Sequence, residues 1–158
     1  MKKAGLVAIA GLCLAVAVLV GSISAQTKSN PRYGKWKLKS EAPAPQSNVM
    51  TYEPYNGSGM KITIDAVNKD GEKSKWGYNT MFDGKDEPLY GNPATDTGSV
   101  RIITDKINEI VYKKNGKVTQ LLTNVLSPDN TTLGIIYMRM SPEGKTTGVT
   151  FATYEKMP

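Results

Sequence analysis

From residue 34 to the end of the chain, apolar and polar residues alternate with a period of two, and turn dipeptides interrupt the alternation at short intervals. Lys35-Trp36-Lys37-Leu38-Lys39 sets the pattern, with Trp36 and Leu38 on one face and three lysines on the other. A half-buried strand repeats its faces every two residues, and a helix does not. Further strands are predicted at 49–55, 60–67, 74–82, 99–104, 107–113, 117–126, 132–140 and 147–156, with a short one at 87–90. They are rich in Val, Ile, Thr and Tyr, which suit a pleated, half-buried surface. Asn56-Gly57, Asp70-Gly71, Asp83-Gly84 and Asn115-Gly116 lie between them and accept the positive φ of tight hairpins. Ser127-Pro128-Asp129-Asn130 and Ser141-Pro142-Glu143-Gly144 place proline where a type I turn takes it. Two connections are longer: 41–48, where Pro43 and Pro45 bar both helix and inner strand, and the loop 91–98. No window carries a capped 3.6-residue period. The expectation is an all-β, antiparallel, up-and-down meander of about 8–10 strands, closed into a barrel because closure removes the two edges of a meander.

The residues ahead of this pattern have a different character. Met1-Lys2-Lys3 is a short positive segment, Ala4–Gly21 is an uncharged apolar run, and Ser22-Ile23-Ser24-Ala25 is a small-residue stretch suited to signal peptidase. These are the parts of a secretory signal in order, so residues 1–25 are expected to be a signal helix removed after Ala25 or Ser24. The expected organisation is a signal peptide at 1–25, a mobile polar lead-in at 26–33 and one barrel domain at 34–158. The protein is then exported, periplasmic or extracellular. The sole cysteine, Cys13, lies too early in the apolar run to carry a lipid, so no membrane anchor is expected after cleavage. The remaining 133 residues hold no cysteine and must be stable through their core alone.

Composition narrows the chemistry. There is no histidine in the chain, which removes Ser-His and Cys-His nucleophilic catalysis and imidazole base chemistry. Without histidine or a mature cysteine, the usual zinc and copper ligands are missing too, and no cofactor is expected. Asp83, Asp86 and Glu87 cluster near one turn, but the Asp-Gly dipeptide reads first as hairpin chemistry and no spaced oxygen-ligand loop accompanies it. After the signal, 18 basic residues face 14 acidic ones, dispersed along the chain. That is a solvated surface rather than a nucleic-acid footprint. A non-enzymatic monomer is expected.

The aromatics remain. Trp36, Trp76, Tyr78, Phe82, Tyr137 and Tyr154 recur on the predicted strands, and Trp76-x-Tyr78-x-Thr80-x-Phe82 puts four side chains on one face. Facing inward, they either fill the barrel or line a pocket. A barrel of about eight strands is just wide enough for either.

Three features resemble the calycins, the lipocalin and fatty-acid-binding superfamily. Gly34-Lys35-Trp36 resembles the Gly-x-Trp start of their first strand, the hairpin meander covers nearly the whole mature chain, and Phe151-Ala152-Thr153-Tyr154-Glu155-Lys156 resembles the closing strand of fatty-acid-binding proteins. The chain is also similar to a group of small exported bacterial proteins. They share a Trp-Lys-Leu opening, a turn like Phe82-Asp83-Gly84-Lys85-Asp86 and a Tyr-Glu-Lys ending. The resemblance implies a lipocalin-like barrel that takes a small apolar or amphipathic ligand, with Trp36 closing the base. It also exposes a departure. Where fatty-acid-binding proteins carry an Arg-x-Tyr pair on the closing strand, this chain has Ala152 and Tyr154. A ligand is therefore expected to be uncharged or to keep its charged end at the mouth. Arg139 substitutes as an anchor if Leu133, Ile135 and Tyr137 face in, and points out if Met138 and Met140 do; the pattern allows both. The alternative is an interaction module with a packed interior and no small ligand.

Overall fold

A computed structural model of the protein describes residues 29–39 and 47–158. The expected signal peptide, its cleavage site, residues 26–28 of the lead-in and residues 41–46 of the proline connector lie outside the described residues. Ten strands follow in order: β1 (Gly34–Lys39), β2 (Ser47–Tyr55), β3 (Gly59–Val67), β4 (Lys73–Thr80), β5 (Glu87–Pro88), β6 (Thr97–Ile102), β7 (Ile107–Lys114), β8 (Lys117–Leu126), β9 (Thr132–Met140) and β10 (Thr146–Lys156). They form a single sheet in the order β4-β3-β2-β1-β10-β9-β8-β7-β6-β5. Every named pair is antiparallel.

The sheet closes on itself. β1 pairs with β2 on one side and with β10 on the other, so the first and last strands lie side by side. The two ends of the sheet meet at one antiparallel bridge, Gly77 to Tyr90. There each backbone N–H donates to the other's carbonyl at 3.1 Å. The result is an all-β, nearly closed barrel. Glycine at 77 is required by that approach: a Cβ there would press on the Ile62 carbonyl and lie 2.5 Å from Tyr90 Oη.

Alternation sorts the side chains. Met50, Tyr52, Ile62, Ile64, Tyr78, Ile110, Tyr112, Leu122, Ile135 and Tyr154 are buried in one interior core, while Lys35, Lys37, Lys61, Asp65 and Lys75 are exposed. Two of the predicted tight hairpins form as read: Asn56-Gly57 has φ of 42° and 79°, and Asn115-Gly116 has 49° and 73°. Those values fit the mirror-image turn whose twist matches the flanking strands. Asp70-Gly71 lies in a longer loop between β3 and β4. Asp83-Gly84 joins no hairpin, because β4 and β5 lie at opposite ends of the sheet and Asp83 bridges Arg101 instead.

Several boundaries move. Ser47 and Asn48 belong to β2 rather than to the connector, and Thr97 and Gly98 belong to β6 rather than to the loop. The strand expected at 99–104 ends at Ile102, because Ile103 and Thr104 donate their N–H groups to Ile107 in the turn to β7. The strand expected at 74–82 ends at Thr80. Phe82 has φ of 61°, a conformation that an aromatic residue rarely adopts and that ends the ladder. The chain then runs alongside β6, where Asp83 bridges Arg101 and Gly84 N–H donates to the Val100 carbonyl at 3.1 Å.

Candidate functional site

At one end of the barrel a plug forms from residues 30–36. Trp36 is 0% exposed, and its indole N–H donates to the Arg32 carbonyl at 2.9 Å. Lys156 Nζ lies 5.7 Å from the Trp36 ring centroid and donates to the Pro31 carbonyl at 3.3 Å. Cation–ring attraction and the backbone bond together pin the last strand to the first. Gly34 enters this arrangement with φ of 126°, in the region that only glycine takes without strain. The described part of the expected mobile lead-in is thus docked: Arg32 is buried, and Tyr33 packs against the core.

Above the plug is an interior cavity of about 80 Å³, room for several waters. Five phenols line it: Tyr52, Tyr78, Tyr112, Tyr137 and Tyr154. Ile62, Ile64, Ile110, Leu122 and Ile135 supply apolar wall between them. The rings are stacked edge to face, with Trp76 and Tyr78 each meeting Tyr112 at centroid separations of 5.9 and 5.8 Å.

The hydroxyls bond largely to one another. Tyr112 O–H donates to Tyr78 Oη at 3.2 Å, Tyr137 and Tyr154 share a bond at 3.3 Å, and Asn124 Nδ2 donates to Tyr52 Oη at 3.3 Å. Burial pushes every one of these phenols up, Tyr78 to about 12. Phenolate in a dry interior loses its hydration and is disfavoured, so the lining is neutral. Asn48 Oδ1 and Asn124 Oδ1 are buried acceptors without a protein partner among the described residues. The cavity thus presents ring faces and aliphatic wall, and among the described residues no charged side chain lines it.

Of the residues singled out from the sequence, Trp76, Tyr78, Tyr137 and Tyr154 come together on this cavity. Trp36 belongs to the plug below it. Phe82, off its predicted strand, lines a lower cleft instead. Arg139 follows Leu133, Ile135 and Tyr137 in the inward alternation, yet it is exposed. It sits one step beyond Tyr137, opposite Gln120 at the rim, and does not line the cavity. Sequence reasoning missed Tyr52 and Tyr112, although each follows a buried Met50 or Ile110 at spacing two, the signal used elsewhere. The cavity asparagines and the buried Arg32 carried no comparable signal. The acidic residues near the turn face lysines: Asp83 lies 2.7 Å from Lys85, whose hydrogen bonds hold its carboxyl below the usual range, and Asp86 lies 2.7 Å from Lys113.

A comparison of the chain with protein-family models finds no match, and a comparison with curated proteins finds none.

Proposed function

We propose that this is an exported, non-enzymatic protein whose barrel takes one small apolar or amphipathic molecule. The tyrosine-lined cavity carries the reading. Binding sites for small molecules are concave and mostly apolar, with a few placed polar groups, and this cavity has that composition. Asn48 and Asn124 line the cavity, and their covered, unpaired Oδ1 atoms would meet a ligand's donor after a small side-chain shift, relieving a cost of about 1–3 kcal/mol for a buried unpaired acceptor. The likeness to calycin barrels supports the same class, and the segment at 1–25 supports export.

The test uses the native protein, whose mass should lack residues 1–25. A neutral apolar dye should bind with one-to-one stoichiometry and change the fluorescence of Trp76. Leu122→Trp, which fills the cavity, should abolish dye binding while the far-ultraviolet circular dichroism is kept. Dye binding that survives Leu122→Trp would place the site elsewhere. No binding at all would mean that a few waters serve the acceptors and that the interior is core.

One observation favours the interaction module in that event. On the outer face, Val149, Met138, Leu121 and Val111 are successive cross-strand neighbours, and Phe151, paired with Ile136, is 76% exposed. An apolar row outside a barrel is a surface for a partner.

A further inference from the structure

The plug carries a buried charge with no ion-pair partner among the described residues. Arg32 is 5% exposed. Its backbone is committed: the N–H donates to Asn30 Oδ1 at 3.0 Å and the carbonyl accepts the Trp36 indole. One guanidinium nitrogen, Nη1, donates to the Asp105 carbonyl at 3.1 Å. The other two, Nε and Nη2, are fully buried with no partner among the described residues. The Asp105 side chain is not within ion-pair distance, and the residue is exposed. Desolvation lowers the guanidinium's pKa, and Tyr52 and Asp105 offset this only in part. Arginine cannot escape by losing its proton, so an unpaired burial of this kind is costly.

The two free nitrogens have a shape that names the missing partner. N–H bonds on Nε and Nη2 are parallel and form the fork that meets both oxygens of a carboxylate. Arg32 also lines a basal cleft; its Nε and Nη2 are covered in this structure, so an anion in the cleft meets them through a small shift of the guanidinium. Pro31, Phe82, Thr104, Asp105 and Asn108 line about 400 Å³ of empty space open to solvent at the base. Asn108 is buried and its Oδ1 also lacks a partner. Amide oxygen and nitrogen are assigned from their hydrogen bonds, so with an anion in the cleft the amide turns to donate.

We propose that Arg32 is the centre of an oxyanion site at the closed end of the barrel, taking a carboxylate or an anion of similar size on Nε and Nη2, with the Asn108 amide as a further donor. The site uses the plug rather than the cavity wall and stands whether or not the cavity takes a ligand. The oxyanion has two sources, a free anion in the basal cleft or the acidic head of an amphipathic molecule. A second small space, lined by Arg32, Asn108, Asn124 and Tyr52, leads from the guanidinium toward the cavity.

The experiment follows the Arg32 Nε–H resonance of the folded protein during titration with acetate, phosphate and octanoate, against chloride at matched ionic strength. A saturable shift and a saturable rise in the thermal midpoint are expected with acetate. Arg32→Gln should weaken acetate binding at least about tenfold, because charge-assisted hydrogen bonds are lost. Should that variant not fold, Asp105→Asn serves in its place: removing the nearby carboxylate should leave acetate binding intact or tighten it. Octanoate that both moves the resonance and displaces the dye identifies an amphipathic source, and acetate or phosphate alone identifies a free anion. No saturable shift with any of the three overturns the proposal. So does an Asp105→Asn variant that loses stability while acetate leaves the resonance unmoved, because Asp105 is then the counter-ion. Dye binding is read separately, so a failed cavity and a failed anion site give different results.

Discussion

Trp36 shows how one residue ties the fold together. Its ring is fully buried, its N–H closes the turn at Arg32 and its face receives Lys156. Truncation removes packing from three segments at once, residues 30–33, β1 and β10. Trp36→Ala should therefore cost about 3–5 kcal/mol, as other buried aromatic truncations do. Chemical denaturation checks this, and an unchanged midpoint would mean that the plug contributes nothing to stability. Phe82 makes the opposite point at the same scale. An aromatic side chain at spacing two from Thr80 reads as strand, but the backbone at 82 is left-handed, with its N–H held by Thr80 Oγ1 at 2.9 Å. Residue type decides that the ring is half-buried, and the local turn decides where.

Among elements, the seam between β4 and the segment after β5 is the point at which closure is tested. β-propensity alone favours valine over glycine within a strand. At Gly77 the order reverses, since a Cβ would collide with the backbone of β3 and with Tyr90. Gly77→Val should destabilise by about 1–3 kcal/mol, the range of overpacked sites, and should speed hydrogen exchange at the Tyr90 amide. Gly148→Val is the control, because no atom lies within 4 Å of a Cβ built there. Equal effects at the two positions would show that the seam does not hold the barrel shut.

For the molecule as a whole, the interior phenols couple stability to alkaline pH. Tyr52, Tyr78, Tyr112, Tyr137 and Tyr154 all have folded pKa values above the ordinary value of 10. Below pH 10 they are protonated in both states, and pH exerts no leverage through them. Above it the unfolded chain releases phenolic protons that the folded chain retains, so stability falls as pH rises. For Tyr78 the window runs from pH 10 to about 12, with a slope of about 1.4 kcal/mol per pH unit for each retained proton. Denaturation midpoints across this range should fall, and Tyr78→Phe should make the fall less steep. A flat profile would mean that the phenols are solvated in the folded protein.

Period-two alternation and Asn-Gly turns determined the all-β class, the meander and nearly every strand, because both signals act between residues close in the chain. They also put Trp76 and Tyr78 on one face, but left open which face of 133–140, and so whether Tyr137, points inward. Closure belongs to tertiary structure. β1 meets β10 across the length of the chain, and Gly77 meets Tyr90 only once the sheet has curled. Alternation names a face but not a height along the barrel, which is why Arg139 shares its parity with Tyr137 and still lies at the rim. Arg32 stands in a polar stretch that reads as lead-in. Its burial follows from the turn that carries it under Trp36, a contact set by the position of the barrel's end and by no local pattern.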